Sequence, residues 1–286
     1  MITQKVKVPD NFGNSTIYAE CLDINGPHGA KNISIFTEMI KQGENYCQQI
    51  KDHPVLGKSD FNIIGESQGN IVSKYIIEHC DLGEFKVHNY LSMGGPHQGV
   101  EKIPNCFTGF WCDLLNDMAE IFMYDPLVQD LVAPTEYYRE RDNKLAYRWY
   151  LNNSRLLPFL NNEKAHDLME EYKRKFMSMN RVMLIMFGAD EVVYPRESEF
   201  FQEHDFEGNI VAFEDTDLYK QDSIGLKTMQ EAGKIDRYVL DGGSHIQINQ
   251  ECEETYFIPF LYGDLPHSDD VVHVDCLKDS YTLQNT

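Results

Sequence analysis

At 286 residues, with 42% hydrophobic and 12% aromatic content, the chain can bury a large core, and its composition argues against disorder. Asp and Glu outnumber Lys and Arg by 46 to 25, and the resulting net charge of −21 argues against nucleic acid or another polyanion as a partner while fitting an acidic compartment. Residues 1–9 lack the apolar core of a secretory signal, and no run approaches the length of a transmembrane segment.

In chain order, residues 16–22 read as a strand. Ile35, Met39, Ile40, Tyr46, Cys47 and Ile50 recur at helical spacing and predict a helix over about 33–51. The short apolar run 61–64 reads as a buried strand. It runs directly into Gly65-Glu66-Ser67-Gln68-Gly69, after which Ile71, Val72, Tyr75 and Ile76 predict a helix over 69–80. Residues 87–93 form a further strand. Strands separated by single helices predict an α/β fold, a mainly parallel sheet covered by helices on both faces. The alternation stops at the loop Gly94-Gly95-Pro96-His97-Gln98-Gly99. Residues 101–180 then read as a helical insertion, with Leu114, Leu115, Met118, Ile121 and Phe122 at helical spacing. Strands resume at 182–187 and near 235–240, and 251–261 reads as a closing amphipathic helix. The expected organisation is one domain over 1–263 and a polar, loosely held tail over 264–286.

Strand, Gly-x-Ser-x-Gly turn and helix in that order point to a nucleophilic serine, Ser67, on a tight elbow whose flanking glycines remove clashing side chains. Such a serine needs a base within hydrogen-bond reach and a carboxylate to orient the base. In this architecture they follow in the order Ser, acid, His, each in a loop after a strand. Gly188-Ala189-Asp190-Glu191 follows the strand 182–187, and Asp241-Gly242-Gly243-Ser244-His245 follows the strand near 235–240. Asp190 and His245 are therefore the expected partners of Ser67. Glu191 competes for the acid role. His97 also follows a strand, but it precedes the acid in sequence, which is the wrong order.

The chain also resembles the palmitoyl-protein thioesterases of the lysosomal type, in the α/β-hydrolase superfamily. The resemblance is carried by Gly65-Glu66-Ser67-Gln68-Gly69, by residues 94–100, by residues 216–229, and by Ala232-Gly233, residues 243–248 and residues 258–261. It implies a catalytic triad of Ser67, Asp190 and His245. The reaction it implies is hydrolysis of thioesters between a long fatty acyl chain and cysteines of S-acylated proteins or peptides. A lysosomal or secretory setting and the absence of any metal or cofactor are implied too. Family members begin with a signal peptide, and their first strand ends in a His-Gly-x-Gly-Asp loop that supplies one oxyanion N–H. Residues 16–22 match the second strand of that pattern. The chain is thus expected to be N-terminally short or an impaired relative, with the backbone N–H of Gln68 as its one identifiable oxyanion donor.

Two readings stay open beside the thioesterase: a general lipid esterase or lipase, and an inactive acyl-binding relative. The insertion is expected to act as a lid, with its apolar face forming an acyl groove. Of the seven cysteines, none forms a Cys-x-x-Cys pair. The pairs Cys47–Cys80 and Cys106–Cys112 match disulfide positions of the family and are expected to be bridged, leaving Cys21, Cys252 and Cys276 free.

Overall fold

The computed structural model describes residues 18–22, 37–102, 120–141 and 143–277. Its centre is a five-stranded, all-parallel sheet in the order β1 (Phe61–Glu66), β2 (Val87–Met93), β3 (Arg181–Phe187), β6 (Ile235–Leu240), β7 (Val272–Val274). Between β3 and β6 lies a separate antiparallel ribbon of β4 (Glu203–His204) and β5 (Ile210–Val211). The α/β arrangement expected from the sequence is the one observed.

The period-2 side-chain alternation of the strands sorts the core into two faces. Val182 and Leu184 of β3 join Tyr90, Phe176, Ile235 and Val239 on one side. Met183, Ile185 and Phe187 join Leu91, Met93, Tyr238, Leu240, Phe257 and Phe260 on the other. Helices Met39–Asp52 and Gly69–His79 pack with the insertion over a third cluster around Ile50, Ile71, Tyr150 and Leu157.

Helix Met39–Asp52 has no side-chain N-cap of its own. Its first N–H donates instead to the buried Glu136 Oε1, at 2.6 Å, from the insertion. The described part of the insertion is built of short helical segments between Glu120 and Met177. It is fastened to the sheet loops by backbone bonds Val100 N–H to Tyr137 O and Arg139 N–H to Val100 O, at 3.0 and 2.8 Å. The buried Arg139 guanidinium adds a second fastening, reaching Glu163 and Glu203, each at 2.6 Å.

Three expectations need correction. Residues 18–22 carry no strand. The tail expected over 264–286 contains β7, paired in register with β6 through Tyr238↔Val272 and Leu240↔Val274. With only three residues and His273 at its centre, β7 lacks a readable apolar run. Cys252 and Cys276 are not free: they form a disulfide, Cα–Cα 5.3 Å, because β7 carries Cys276 back to the helix Gln250–Cys252. The expected Cys47–Cys80 bridge is present, also with Cα–Cα 5.3 Å, and Cys21 is an exposed free thiol. The pair Cys106–Cys112, residues 1–17 and the first part of the insertion lie outside the described residues.

Candidate active site

Four strands deliver loops to the same carboxyl edge of the sheet, where ligands bind in open α/β sheets. The loop after β1 carries Ser67, that after β2 Gly94, that after β3 Asp190 and that after β6 His245. Ser67 sits in the left-handed region at φ 51°, a conformation that an L-residue holds only when its surroundings enforce it.

The enforcing contacts are identifiable. Ser67 N–H donates to Met93 O at 2.9 Å. The buried Asn70 side chain donates to Ser67 O at 3.1 Å and to Met93 O at 2.9 Å, while its own oxygen accepts from Tyr90 O–H at 2.8 Å. Gly65 and Gly95 leave room for this amide: a Cβ at Gly65 would lie 2.3 Å from Asn70 Oδ1, and one at Gly95 would lie 2.8 Å from Asn70 Cβ.

The three residues expected from the strand ends come together in one hydrogen-bonded line. Ser67 Oγ lies 2.8 Å from His245 Nε2, and His245 Nδ1 lies 2.5 Å from Asp190 Oδ2. The carboxylate accepts at Nδ1, so the ring proton sits there and Nε2 offers its lone pair to the Ser67 hydroxyl. Asp190 Oδ1 accepts the backbone N–H groups of Val192 and Val193, at 2.7 and 3.1 Å. Burial alone would raise this carboxyl, but the hydrogen bond from His245 and the neighbouring Glu199 side chain outweigh it and hold Asp190 below its ordinary value. Gly94, at φ +59°, makes room for the imidazole: a Cβ there would lie 3.1 Å from His245 Cε1. Ile246, next to the histidine, is also left-handed at φ 55°.

The rivals are placed elsewhere. Glu191 is exposed. His97 is fully buried, stacked on Phe201 and bonded through Nε2 to Ser92 Oγ at 2.7 Å. Gln68 opens the elbow helix, and its side-chain oxygen accepts from Tyr137 O–H of the insertion at 3.1 Å. Sequence reasoning missed Asn70, Tyr137 and Glu199. Each acts through a tertiary contact, and only Asn70, directly after the elbow glycine, had a positional signal. Among the described residues, the one cluster of three side chains with metal-ligating atoms close together is Asp190, Glu199 and His245. His245 is engaged by Asp190 and Ser67, and both carboxylates accept backbone N–H groups. No helix of the described residues is long and apolar enough to cross a membrane.

A family model described as palmitoyl protein thioesterase matches residues 4–245. Palmitoyl-protein thioesterase 1 of Caenorhabditis elegans is 33% identical over 71% of this chain and 66% of its own length. The lysosomal thioesterase PPT2 of Bos taurus is 26% identical over 73% of this chain and 68% of its own. A fission-yeast fusion of a palmitoyl-protein thioesterase with a dolichyl pyrophosphate phosphatase is 28% identical over 72% of this chain, and the match spans 32% of the fusion. The chain thus spans just under two thirds of the nematode relative and about a third of the fusion.

Proposed function

The chain belongs to the palmitoyl protein thioesterase family, and on that premise we propose that it is a serine thioesterase removing long-chain fatty acyl groups from cysteines of S-acylated proteins. The observation carrying this reading is the Ser67–His245–Asp190 line at the carboxyl edge of the sheet. In the proposed sequence, His245 Nε2 takes the Ser67 proton as Ser67 Oγ attacks the thioester carbonyl. The tetrahedral intermediate collapses, the C–S bond breaks, and the imidazolium returns its proton to the cysteine thiolate. Water, deprotonated by His245, then cleaves the acyl-serine ester and releases the fatty acid. Asp190 holds the tautomer and stabilises the imidazolium. The Gln68 N–H, at the positive end of the elbow helix, is the proposed oxyanion donor. The acyl chain is assigned to an apolar face of the insertion. The lysosomal thioesterases among the relatives support a lysosomal setting.

Two experiments test this. Ser67→Ala is expected to abolish turnover of an acyl-cysteine thioester and labelling by a fluorophosphonate while leaving the circular dichroism unchanged; labelling of the variant would refute the nucleophile. Shortening the acyl chain by four methylenes is expected to weaken binding strongly, since each buried CH₂ contributes about 0.8 kcal/mol. Unchanged affinity would remove the groove. Turnover of triglyceride but not thioester would favour a lipid esterase, and acyl binding without turnover an inactive relative.

A further inference from the structure

Behind Asp190 lies a second acid with no part in the chemistry above. Glu199 belongs to the short helical segment Arg196–Phe200 and is completely buried. One oxygen of Glu199, one of Asp190 and a ring nitrogen of His245 all lie within 4.8 Å of one another. Glu199 Oε2 accepts the backbone N–H of Phe187 at 3.0 Å, while Oε1 is sealed from solvent and receives no donor. The other charged neighbours bring no cation to it: Glu197 is a further negative charge, and Arg196 is turned to Gly188 O and Glu197.

Two carboxylates this close in a dry site cannot both be ionised. Asp190 has two backbone N–H groups and the imidazole N–H to stabilise its charge, whereas Glu199 has one N–H. The proton therefore belongs on Glu199. We propose that Glu199 is a positioning residue, a neutral carboxylic acid whose O–H donates to the Asp190 carboxylate and fixes it from behind in the orientation that aligns His245. The direction of the Glu199 ionisation agrees: burial first, then the Asp190 carboxylate beside it, pushes it well above the ordinary range. With the hydroxyl on Oε1, the atom without a donor becomes a donor itself.

This role rests on the proposed function of Asp190 and His245, and the test keeps the two separable. Glu199→Gln preserves a donor toward Asp190 and an acceptor for Phe187 N–H. It is expected to keep kcat within about threefold and to leave the acidic limb of the kcat/KM profile in place. Glu199→Leu removes the donor and is expected to lower kcat by up to about 10²-fold at unchanged KM, the scale of a misplaced reacting group. Its acidic limb should move to higher pH, because an Asp190 charge no longer shared with an O–H holds the imidazolium more tightly. If Glu199 were instead ionised, Glu199→Gln would remove a charge beside the ring and shift that limb to lower pH by about two units; that result would overturn the proposal. Infrared spectra of wild type and Glu199→Gln give a readout independent of activity. The wild type is expected to show a protonated-carboxyl C=O band that the variant lacks, and its absence would overturn the proposal even if the enzyme is active. Full activity in Ser67→Ala would instead sink the serine mechanism and leave the infrared result standing.

Discussion

Ser67, Asp190 and His245 were legible because each is the chemically capable residue of a loop that ends a strand, and strand ends can be read from apolar runs. What lies behind them was not. Asn70 stands beside the elbow in sequence, but its partners Tyr90 and Met93 lie on the next strand. Glu199 is brought in by packing between segments that the sequence keeps apart, and an acid within Ser198-Glu199-Phe200 has no pattern to mark it as buried. The glycines sharpen the point. Gly94 reads as an ordinary loop residue, yet its missing Cβ is the space the imidazole uses. Gly94→Ala is expected to cost about 1–2 kcal/mol for a side chain in the left-handed region. It should also displace the His245 ring and lower kcat by about tenfold, part of the way to the ~10² that a 1 Å misplacement can cost. Steady-state kinetics alongside thermal denaturation checks both, and unchanged kcat would show that the ring does not depend on this space.

Among the elements, the strands of five or more residues and the helices Met39–Asp52 and Gly69–His79 were readable, since they repeat a period long enough to recognise, whereas Lys144–Asn153 and Met169–Met177 were read only as part of a helical insertion. The missed strands are short, and the one false strand, read over 16–22, has no strand in its described residues 18–22. β4 and β5 have two residues each, and β7 has three, flanked by Asp269-Asp270 that suggest solvent. A strand this short is held by something besides its ladder, and for β7 this is the Cys252–Cys276 bridge. Closing a loop with a sequence separation of 24 restricts the unfolded chain by about 3 kcal/mol. Cys276→Ser is therefore expected to lower the unfolding free energy by about that amount in chemical denaturation, with amide exchange of Tyr238, Val239 and Leu240 accelerating as the β6 edge frays. Exchange in β1 should not change; a uniform acceleration would mean that the bridge stabilises the chain globally and does not specifically pin this edge.

For the whole molecule, the acidic excess hides an internal asymmetry. The fully buried Glu136 is pushed by its burial from the ordinary 4.5 up to about 8, and burial also raises Glu78, beside Lys74 on the elbow helix. Between pH 4.5 and about 8 the folded chain holds these protons while the unfolded chain has released them, so stability rises as pH falls through that window. The desolvated imidazoles have the opposite sign. Desolvation lowers His79 from 6.5 to about 4 and His97 well below its ordinary value, so below pH 6.5 they withdraw stability as acid increases. Tm is expected to climb from pH 8 to about 6.5 and then level off, and Glu136→Gln should flatten the climb. A Tm that falls over the upper range would contradict the assignment of buried neutral acids. The net charge of −21 was readable from composition. Which acids carry none of it was not, because that depends on burial.

The distance in sequence between Ser67 and His245 has a consequence for the order in which the protein is made. The two are 178 residues apart, and at about 5–20 residues per second the ribosome takes roughly 10–35 s to travel from one to the other. During that interval Ser67 has been synthesised but its base has not, so the nascent chain carries a serine without a base to activate it. The Cys47–Cys80 bridge can close early in that period, whereas Cys252–Cys276 forms only after the histidine has emerged. The Ser67–His245–Asp190 line is therefore assembled late in translation, after most of the sheet that contains it.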